Sequence, residues 1–365
     1  MEPNTSLSLT TTMSLTEEHT ETDILILGAT GFTGKLITHY LSTHSQRSQF
    51  TLGIGGRSIA KLEKLSTDLS LNRDLRKGDG VRVVQVDLND ETALENVVQS
   101  ARIIINAIGP YFLSGTPIVR LCARNGVHYL DISGETHWHQ HLIKAHDYTA
   151  SRSGAVIVPS CAFNSAPADI CVYLAAKALR DISPSLLPGK STTVYDFKGG
   201  YSGGTAATTI STFGNVDHEV LQRTMEPYTL SPIVGNQPST GFEFVSKLSI
   251  PKQFGGQIYY GCFSTMASIN TAVVQRTFGL LEMISAEHHG SSFVQFVWSS
   301  LIIHLLFVGK HEEPSIRYGP DLIYSEFLLA RNPFTAFLSS VSLVFAFVFL
   351  LFKPVSFPFL SFQHL

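Results

Sequence analysis

From Asp23 onward the chain runs in short, continuously apolar stretches, each closed by a glycine, aspartate or asparagine and followed by helical spacing. Ile24–Leu27 ends at Gly28, and a run that is apolar at every position predicts a strand buried on both faces. A helix is predicted from Thr33 to about Ser42, a second strand from Phe50 to Ile54, and a helical pattern around Leu62 and Leu65. Val81 to Val86 predicts a third strand ending at Asp87, and Ile103-Ile104-Ile105 a fourth ending at Asn106. The same rhythm continues with a helix near Pro117–Asn125, a strand at Val127–Ile132, a helix near Thr136–Ser151 and a strand at Ala155–Val158. Alternation of this kind specifies an α/β, Rossmann-type doubly wound parallel sheet, because each crossover helix covers one face of strands that are apolar on both sides.

After Cys161 the pattern changes. A long helix, Pro167–Leu179, leads into a strand at Thr192–Phe197 and the glycine-rich stretch Gly199–Gly204, the profile of a second, α+β domain. The end of the chain changes again, since the 21 residues between Arg331 and Lys353 carry no charge. At about 1.5 Å per residue they extend roughly 30 Å, the thickness of a bilayer core. A weaker segment, Phe293–Val308, is interrupted by Gln295, serines and His304, and reads as a buried or interfacial helix or as the other arm of a hydrophobic hairpin in one leaflet. The expected organisation is a disordered Ser/Thr-rich tail over 1–21, a dinucleotide-binding domain over 22–160, a substrate domain over 161–330 and a membrane-associating segment over 331–365.

Composition adds exclusions. With 44% hydrophobic residues, the 365-residue chain can bury a sizeable core. Its net charge of −3 contains no long run of either sign, which argues against nucleic acid as a partner. Cys122, Cys161, Cys171 and Cys262 form no CxxC pair and no His/Cys ligand spacing, so reduced thiols in an intracellular, cytosol-facing setting are expected. His137, His139 and His141 alternate along a predicted helix and cannot share a face as i, i+4 ligands do, so no metal is expected. No Gly-x-Ser-x-Gly elbow is present.

The chemistry-bearing signal is Gly28-Ala29-Thr30-Gly31-Phe32-Thr33-Gly34, a GxxGxxG turn between a strand and a helix. Glycines there let the backbone turn tightly and approach a pyrophosphate, which sits at the positive end of the helix dipole. After the second strand, where an acidic residue would hold the ribose diol of NAD, the chain has Gly56-Arg57-Ser58 with Lys61 one turn on. A guanidinium can grip a 2′-phosphate bidentately and Ser58 can donate to it, so NADP(H) is favoured; a solvated surface charge is the alternative for Arg57. Asp87 can accept from the adenine amino group, cap the helix beginning near Asp90, or both. Asn106-Ala107-Ile108-Gly109-Pro110-Tyr111 lies at the carboxyl edge of the sheet, where small residues leave room for ribose and nicotinamide. Tyr111 either faces substrate or packs on its loop. Asp131 either serves substrate orientation and proton transfer or caps the next helix.

These segments resemble the saccharopine dehydrogenase-like oxidoreductases, in particular the branch that includes the trans-acting enoyl reductases. The resemblance runs from about Thr22 to Arg331 and rests on Gly28–Gly34, Gly56-Arg57, Ile105–Tyr111, Tyr129–Glu135, Phe163–Asp169, Ser202–Thr205 and Ala267–Thr277. It implies cofactor binding by Gly28–Gly34 and Arg57, and hydride transfer from NADPH to an unsaturated, lipophilic acyl or polyketide-like substrate, carrier- or CoA-bound. Tyr111, Asp131 and Asn164 are the substrate-side candidates. It also implies association with a membrane or lipid-droplet surface, and a homodimer is compatible with it. Two departures stand out. Ala162-Phe163-Asn164-Ser165 places an amide where relatives often have the aspartate of Gly-Phe-Asp-Ser, and the chain ends at Leu365 where relatives extend into a polar tail. The alternatives are therefore saccharopine-type chemistry on an amino-acid imine, or an inactive nucleotide-binding scaffold at a lipid surface.

Overall fold

The computed structural model describes residues 22–71, 80–197, 199, 202–237, 243–287 and 316–352. The expected tail over 1–21 and the Phe293–Val308 segment lie outside the described residues. Six strands, β1 (Thr22–Leu27), β2 (Leu52–Gly56), β3 (Val81–Gln85), β4 (Ala101–Asn106), β5 (His128–Asp131) and β6 (Ile157–Val158), form one sheet in the order β3-β2-β1-β4-β5-β6. Every neighbouring pair is parallel. Side chains of β1 alternate between two cores, as a strand covered on both sides requires. Leu25 and Leu27 join Leu94 and Val98 of α3 (Glu91–Gln99), Ile118 and Leu121 of α5 (Thr116–Asn125) and Leu142 of α6 (Thr136–Ser153). Ile26 turns the other way, to Leu62 of α2 (Ile59–Leu71) and to Ile37 and Leu41 of α1 (Phe32–Thr43). A four-residue helix, α4 (Tyr111–Ser114), follows β4.

The second sheet contains β7 (Lys190–Tyr195), β8 (Ser246–Ser249), β9 (Ile258–Cys262) and β10 (Ile323–Ala330) in the order β7-β10-β9-β8. β10 pairs in parallel with β7, and the other pairs are antiparallel. Its core joins Ala168, Val172 and Tyr173 of α7 (Ala166–Ile182) to Val274 and Phe278 of α10 (Ala267–Glu287) and to Tyr318 and Tyr324. Gly203 and Gly204 lie not in a strand-like stretch but at the start of α8 (Gly203–Asn215), because the Ser202 hydroxyl caps it by accepting from the Thr205 amide at 3.2 Å. A short α9 (His218–Arg223) follows.

The last apolar segment forms α11 (Pro333–Phe352), which docks by one side on the second domain. Ala336 and Ser340 are buried. The Ser340 hydroxyl donates to the Phe244 carbonyl at 2.6 Å and accepts from the Phe263 amide at 2.9 Å, which ties the helix to the second sheet's margin. Phe334 (70% exposed), Phe337, Leu338 and Phe345 (69% exposed) face outward. Among the described residues, no helix is long and apolar enough to cross a membrane.

One buried carboxyl in the second core gives a pH prediction. Asp169 accepts from the Thr277 hydroxyl at 2.8 Å through Oδ2, while Oδ1 has no partner. Burial pushes its pKa up to about 7, and the Thr277 bond only partly opposes this. The folded state thus holds the proton more tightly than an unfolded chain, whose aspartate titrates near 3.9. This contribution to stability is complete below about pH 4 and lost as pH rises through about 7, a change of about 4 kcal/mol. Urea unfolding at pH 5 and pH 8 should show Asp169→Asn flattening that decline and exceeding the wild type at pH 8. A variant with the wild-type slope would exclude Asp169 as its source.

Candidate functional site

The glycine turn is built so that only glycine fits at two of its three positions. Gly28 has φ +76°, and a Cβ there would lie 2.9 Å from the Ala107 carbonyl oxygen. A Cβ on Gly34 would lie 2.1 Å from the Gly28 carbonyl oxygen, where α1 crosses the end of β1. The Gly28 amide donates to the Gly55 carbonyl at 2.9 Å, and the Gly31 amide returns to the Gly28 carbonyl at 3.0 Å, closing the turn. Gly31 caps α1 without any side-chain hydrogen bond. The first-turn amides of Phe32, Thr33 and Gly34 have no acceptor within the helix and converge at its positive end, beside Thr30. That cradle of backbone donors, with space a side chain would fill, fits a pyrophosphate.

Arg57 follows β2 directly, is exposed and forms no ion pair among the described residues. The Ser58 carbonyl accepts from the Leu62 amide, which starts α2, and Lys61 is exposed on its first turn. A phosphate at this edge would meet Arg57, Ser58 and Lys61 together, which suits a dianion. Asp87 does not cap α3: that role belongs to Asp90, which accepts from the Ala93 amide at 2.9 Å. Asp87 instead accepts from the Asn89 amide and side chain at 2.9 and 3.1 Å, an Asx turn that shapes the loop after β3.

Behind these loops lies a buried polar brace. The Asn106 side chain donates to the Tyr129 hydroxyl at 3.1 Å and accepts from the Ile108 amide at 3.0 Å, while the Ala107 amide donates to the Leu27 carbonyl. Asn106 therefore sets the course of Ala107-Ile108-Gly109-Pro110. Tyr111 does not face a cleft; it is buried beside Trp138, ring centroids 5.8 Å apart, and its hydroxyl donates to the Asn106 carbonyl at 3.2 Å. Asp131 is not a helix cap. Its Oδ1 accepts from the Ser133 amide (2.9 Å), the Ser133 hydroxyl (2.5 Å) and the Ser160 amide (2.9 Å), and its Oδ2 accepts from the Tyr129 hydroxyl (2.9 Å). It joins the loops that leave β5 and β6. Burial pushes its pKa up, and the donors around it pull the other way.

Sequence reasoning passed over Glu135. Its carboxylate receives the Tyr111 amide at 2.8 Å and the Phe112 amide at 2.6 Å, so it caps α4 from another loop. Its place in Tyr129–Glu135 was the available signal, but a partner 24 residues earlier is invisible to local pattern. His139, which burial pushes down to about 3, is neutral and sits 2.7 Å from the Ser133 hydroxyl. Because Ser133 donates to Asp131 and is itself buried, the three do not form a nucleophilic triad.

The second domain meets this edge directly. A Cβ on Gly109 would lie 3.7 Å from the Thr208 hydroxyl of α8, and one on Gly134 would lie 2.9 Å from the Asn164 amide nitrogen and 3.3 Å from Ile269 of α10. Asn164 is half-buried, with no hydrogen bond to its side chain among the described residues. Its neighbour Phe163 (52% exposed) contacts the Tyr195 ring edge-on at 5.8 Å and stacks on Phe197 at 5.7 Å. Behind Tyr195, the Glu326 carboxylate accepts from Ser264 (2.6 Å), Asn270 (2.7 Å) and Tyr324 (2.7 Å).

This geometry coincides with a family match, because residues 24–158 match the model of the saccharopine dehydrogenase NADP binding domain. NADP is the cofactor this domain takes, and the Gly28–Gly34 cradle and Arg57 edge supply a donor set that fits it. A trans-acting enoyl reductase of Mycobacterium leprae is 30% identical over 267 residues, covering 70% of this chain and 61% of the relative. A lipid droplet localized protein of Caenorhabditis elegans is 32% identical over 155 residues, covering 42% of this chain and 36% of the relative. The chain thus spans less than two thirds of the length of these relatives. An apo saccharopine dehydrogenase (L-Glu forming) from Saccharomyces cerevisiae aligns at 15% identity and TM-score 0.35 over 47% of this chain and 34% of its own.

Proposed function

We propose that the protein is an NADP(H)-dependent oxidoreductase that reduces an unsaturated, lipophilic acyl or polyketide-like substrate, delivered as a CoA or carrier thioester and held where the second domain meets the nucleotide-binding edge. The observation that carries this reading is the open amide cradle at Gly28–Gly34 with the exposed Arg57 beside it. When bound, NADPH supplies the hydride. The chain's own residues bind and orient: the cradle takes the pyrophosphate, and Arg57, Ser58 and Lys61 take the 2′-phosphate. Asn106 and Glu135 fix the loop beside the nicotinamide. Among the substrate-side candidates, Asn164 donates to the substrate, while Tyr111 and Asp131 act as positioning residues from within the brace.

Charge favours this over saccharopine-type chemistry, which needs arginines free to hold several carboxylates. Arg223, Arg276 and Arg317 are paired with Glu219, Asp147 and Glu282. The loops and sheet around the candidate cleft instead bury the carboxyls of Asp131, Glu135 and Glu326. In the test, purified protein is titrated with NADPH and NADH, and NADPH oxidation is then followed with 2-enoyl thioesters and with the saccharopine imine. Arg57→Ala should weaken NADPH roughly 10- to 100-fold, the worth of a charge-assisted contact, and leave NADH unchanged. An unaltered preference would remove Arg57 from the site, and turnover of the imine alone would reverse the ranking of reactions.

The outward face of α11 supports association with a lipid surface, in keeping with the similarity to the lipid droplet localized protein of C. elegans. Co-flotation with phospholipid vesicles should fall at least severalfold when Phe334, Phe337 and Leu338 are replaced by serine. Equal flotation of that variant would dismiss this face as the contact.

A further inference from the structure

The cluster on the second sheet contains one buried hydroxyl without a well-aligned hydrogen bond. Glu326 has its carboxylate oxygens occupied by Ser264, Asn270 and Tyr324, so the Tyr324 proton is committed to Glu326. Tyr195 stands beside them, 9% exposed, and its buried hydroxyl lies next to the Tyr324 hydroxyl without forming a well-aligned hydrogen bond. A buried hydroxyl left unsatisfied costs stability, so its retention needs a reason other than folding. The surroundings supply one. A closed circuit of contacts runs from Tyr195 to Phe163, to the adjoining Asn164, across to Gly134, then to Ile269, and through Asn270 back to Glu326. It joins the loops after β5 and β6, where the nicotinamide end of a dinucleotide lies in this fold, to the second sheet.

We propose that Tyr195 donates a hydrogen bond to the acyl oxygen of the substrate, with Glu326 and Tyr324 as the positioning residues that hold it. The proposal rests on the reductase reading above. In the reaction the substrate's β-carbon gains the hydride from NADPH, which leaves as NADP, and the C=C electron pair shifts to give an enolate. The enolate oxygen keeps the Tyr195 hydrogen bond without proton transfer, and the α-carbon takes its proton from water. Burial, and after it the Glu326 carboxylate behind the ring, disfavour a phenolate, so the tyrosine stays a donor throughout. The half-exposed Phe163–Phe197 pair covers the site in this structure, and the entering acyl chain displaces it.

The test compares Tyr195→Phe with wild type, using trans-2-decenoyl-CoA as the probe. The expected variant binds NADPH with unchanged affinity and has a thermal midpoint equal to or above wild type, because it loses an unsatisfied hydroxyl. Its kcat on the enoyl thioester should drop about 30-fold or more with little change in KM. The thioester carbonyl stretch, shifted to lower frequency on binding to the wild type, should return towards its free value. Wild-type kcat in Tyr195→Phe, or an unaltered carbonyl stretch, overturns the role of Tyr195 and leaves the reductase reading standing. Absence of enoyl turnover and of any carbonyl shift in the wild type itself overturns both. A midpoint well below wild type would show the hydroxyl to be structural, which also overturns the proposal.

Discussion

A Gly34→Ala protein is expected to lose stability by about 3 kcal/mol or more and to lose measurable NADPH affinity, although one methyl group is all that is added. The new Cβ would sit 2.1 Å from the Gly28 carbonyl oxygen and 2.8 Å from the Ala29 Cα, both backbone atoms that no rotamer change can move aside. Relief requires α1 to draw back from β1, and the Phe32, Thr33 and Gly34 amides then leave the position of the pyrophosphate. Gly31→Ala is the control. Gly31 has φ −73° and ψ 169°, open to any residue, and its Cβ would lie 3.3 Å from the same oxygen. That variant should fold within about 1 kcal/mol of wild type while weakening NADPH, because its methyl group stands on the ligand side of an intact turn. Urea midpoints and a fluorescence titration with NADPH separate the two effects. A Gly34→Ala protein that binds like wild type would show that α1 does not need this contact to present its amides.

How much could be read from sequence depended on how local the cause was. The first sheet was legible because its strands are buried on both faces, so Ile24–Leu27 and Ile103–Ile105 are apolar without a break and the turn after β1 carries its glycines in order. The second sheet was legible only at β7, expected at Thr192–Phe197 and formed by Lys190–Tyr195. β10 contains Ser325 and Glu326, and a carboxylate inside a strand reads as a surface position until Ser264 and Asn270, 62 and 56 residues away, are seen to satisfy it. The capping alternative for Asp87 failed for a finer reason: Asp90, three residues on, has the helix amide within reach, and either aspartate satisfies the local pattern. The candidate site divides along the same line. The Gly28–Gly34 turn and Arg57 are chain-local features, whereas Glu135, Tyr195 and the Glu326 group acquire meaning only where separate loops converge. The apolar stretch in α11 was correctly located as a helix-forming segment, but hydropathy could not show that Ser340 fastens one side of it to protein.

Asp131→Ala should cost about 3–5 kcal/mol, the scale expected when one partner is removed from a buried charged network. Four donors converge on this carboxylate, and alanine would strand the Ser133 and Ser160 amides and two hydroxyls in a dry interior. The damage would also be directional. Ser160 is a non-glycine residue held at φ +63°, a conformation that costs energy and is maintained here by its amide bond to Asp131 and its hydroxyl bond to the Ser133 carbonyl. Without the carboxylate, the Ser160–Asn164 loop can relax and carry Phe163 and Asn164 away from the second sheet. Asp131→Asn should be milder, because an amide oxygen at Oδ1 can still receive the three donors from Ser133 and Ser160, and only the bond from Tyr129 must reverse. The order wild type, Asn, Ala is therefore expected both in urea midpoint and in kcat on an enoyl thioester, with NADPH affinity falling less than kcat. If Asp131 were instead a proton donor to substrate, Asn and Ala would lose activity alike while Asn kept nearly full stability. Measuring stability and kcat on both variants distinguishes a brace from an acid.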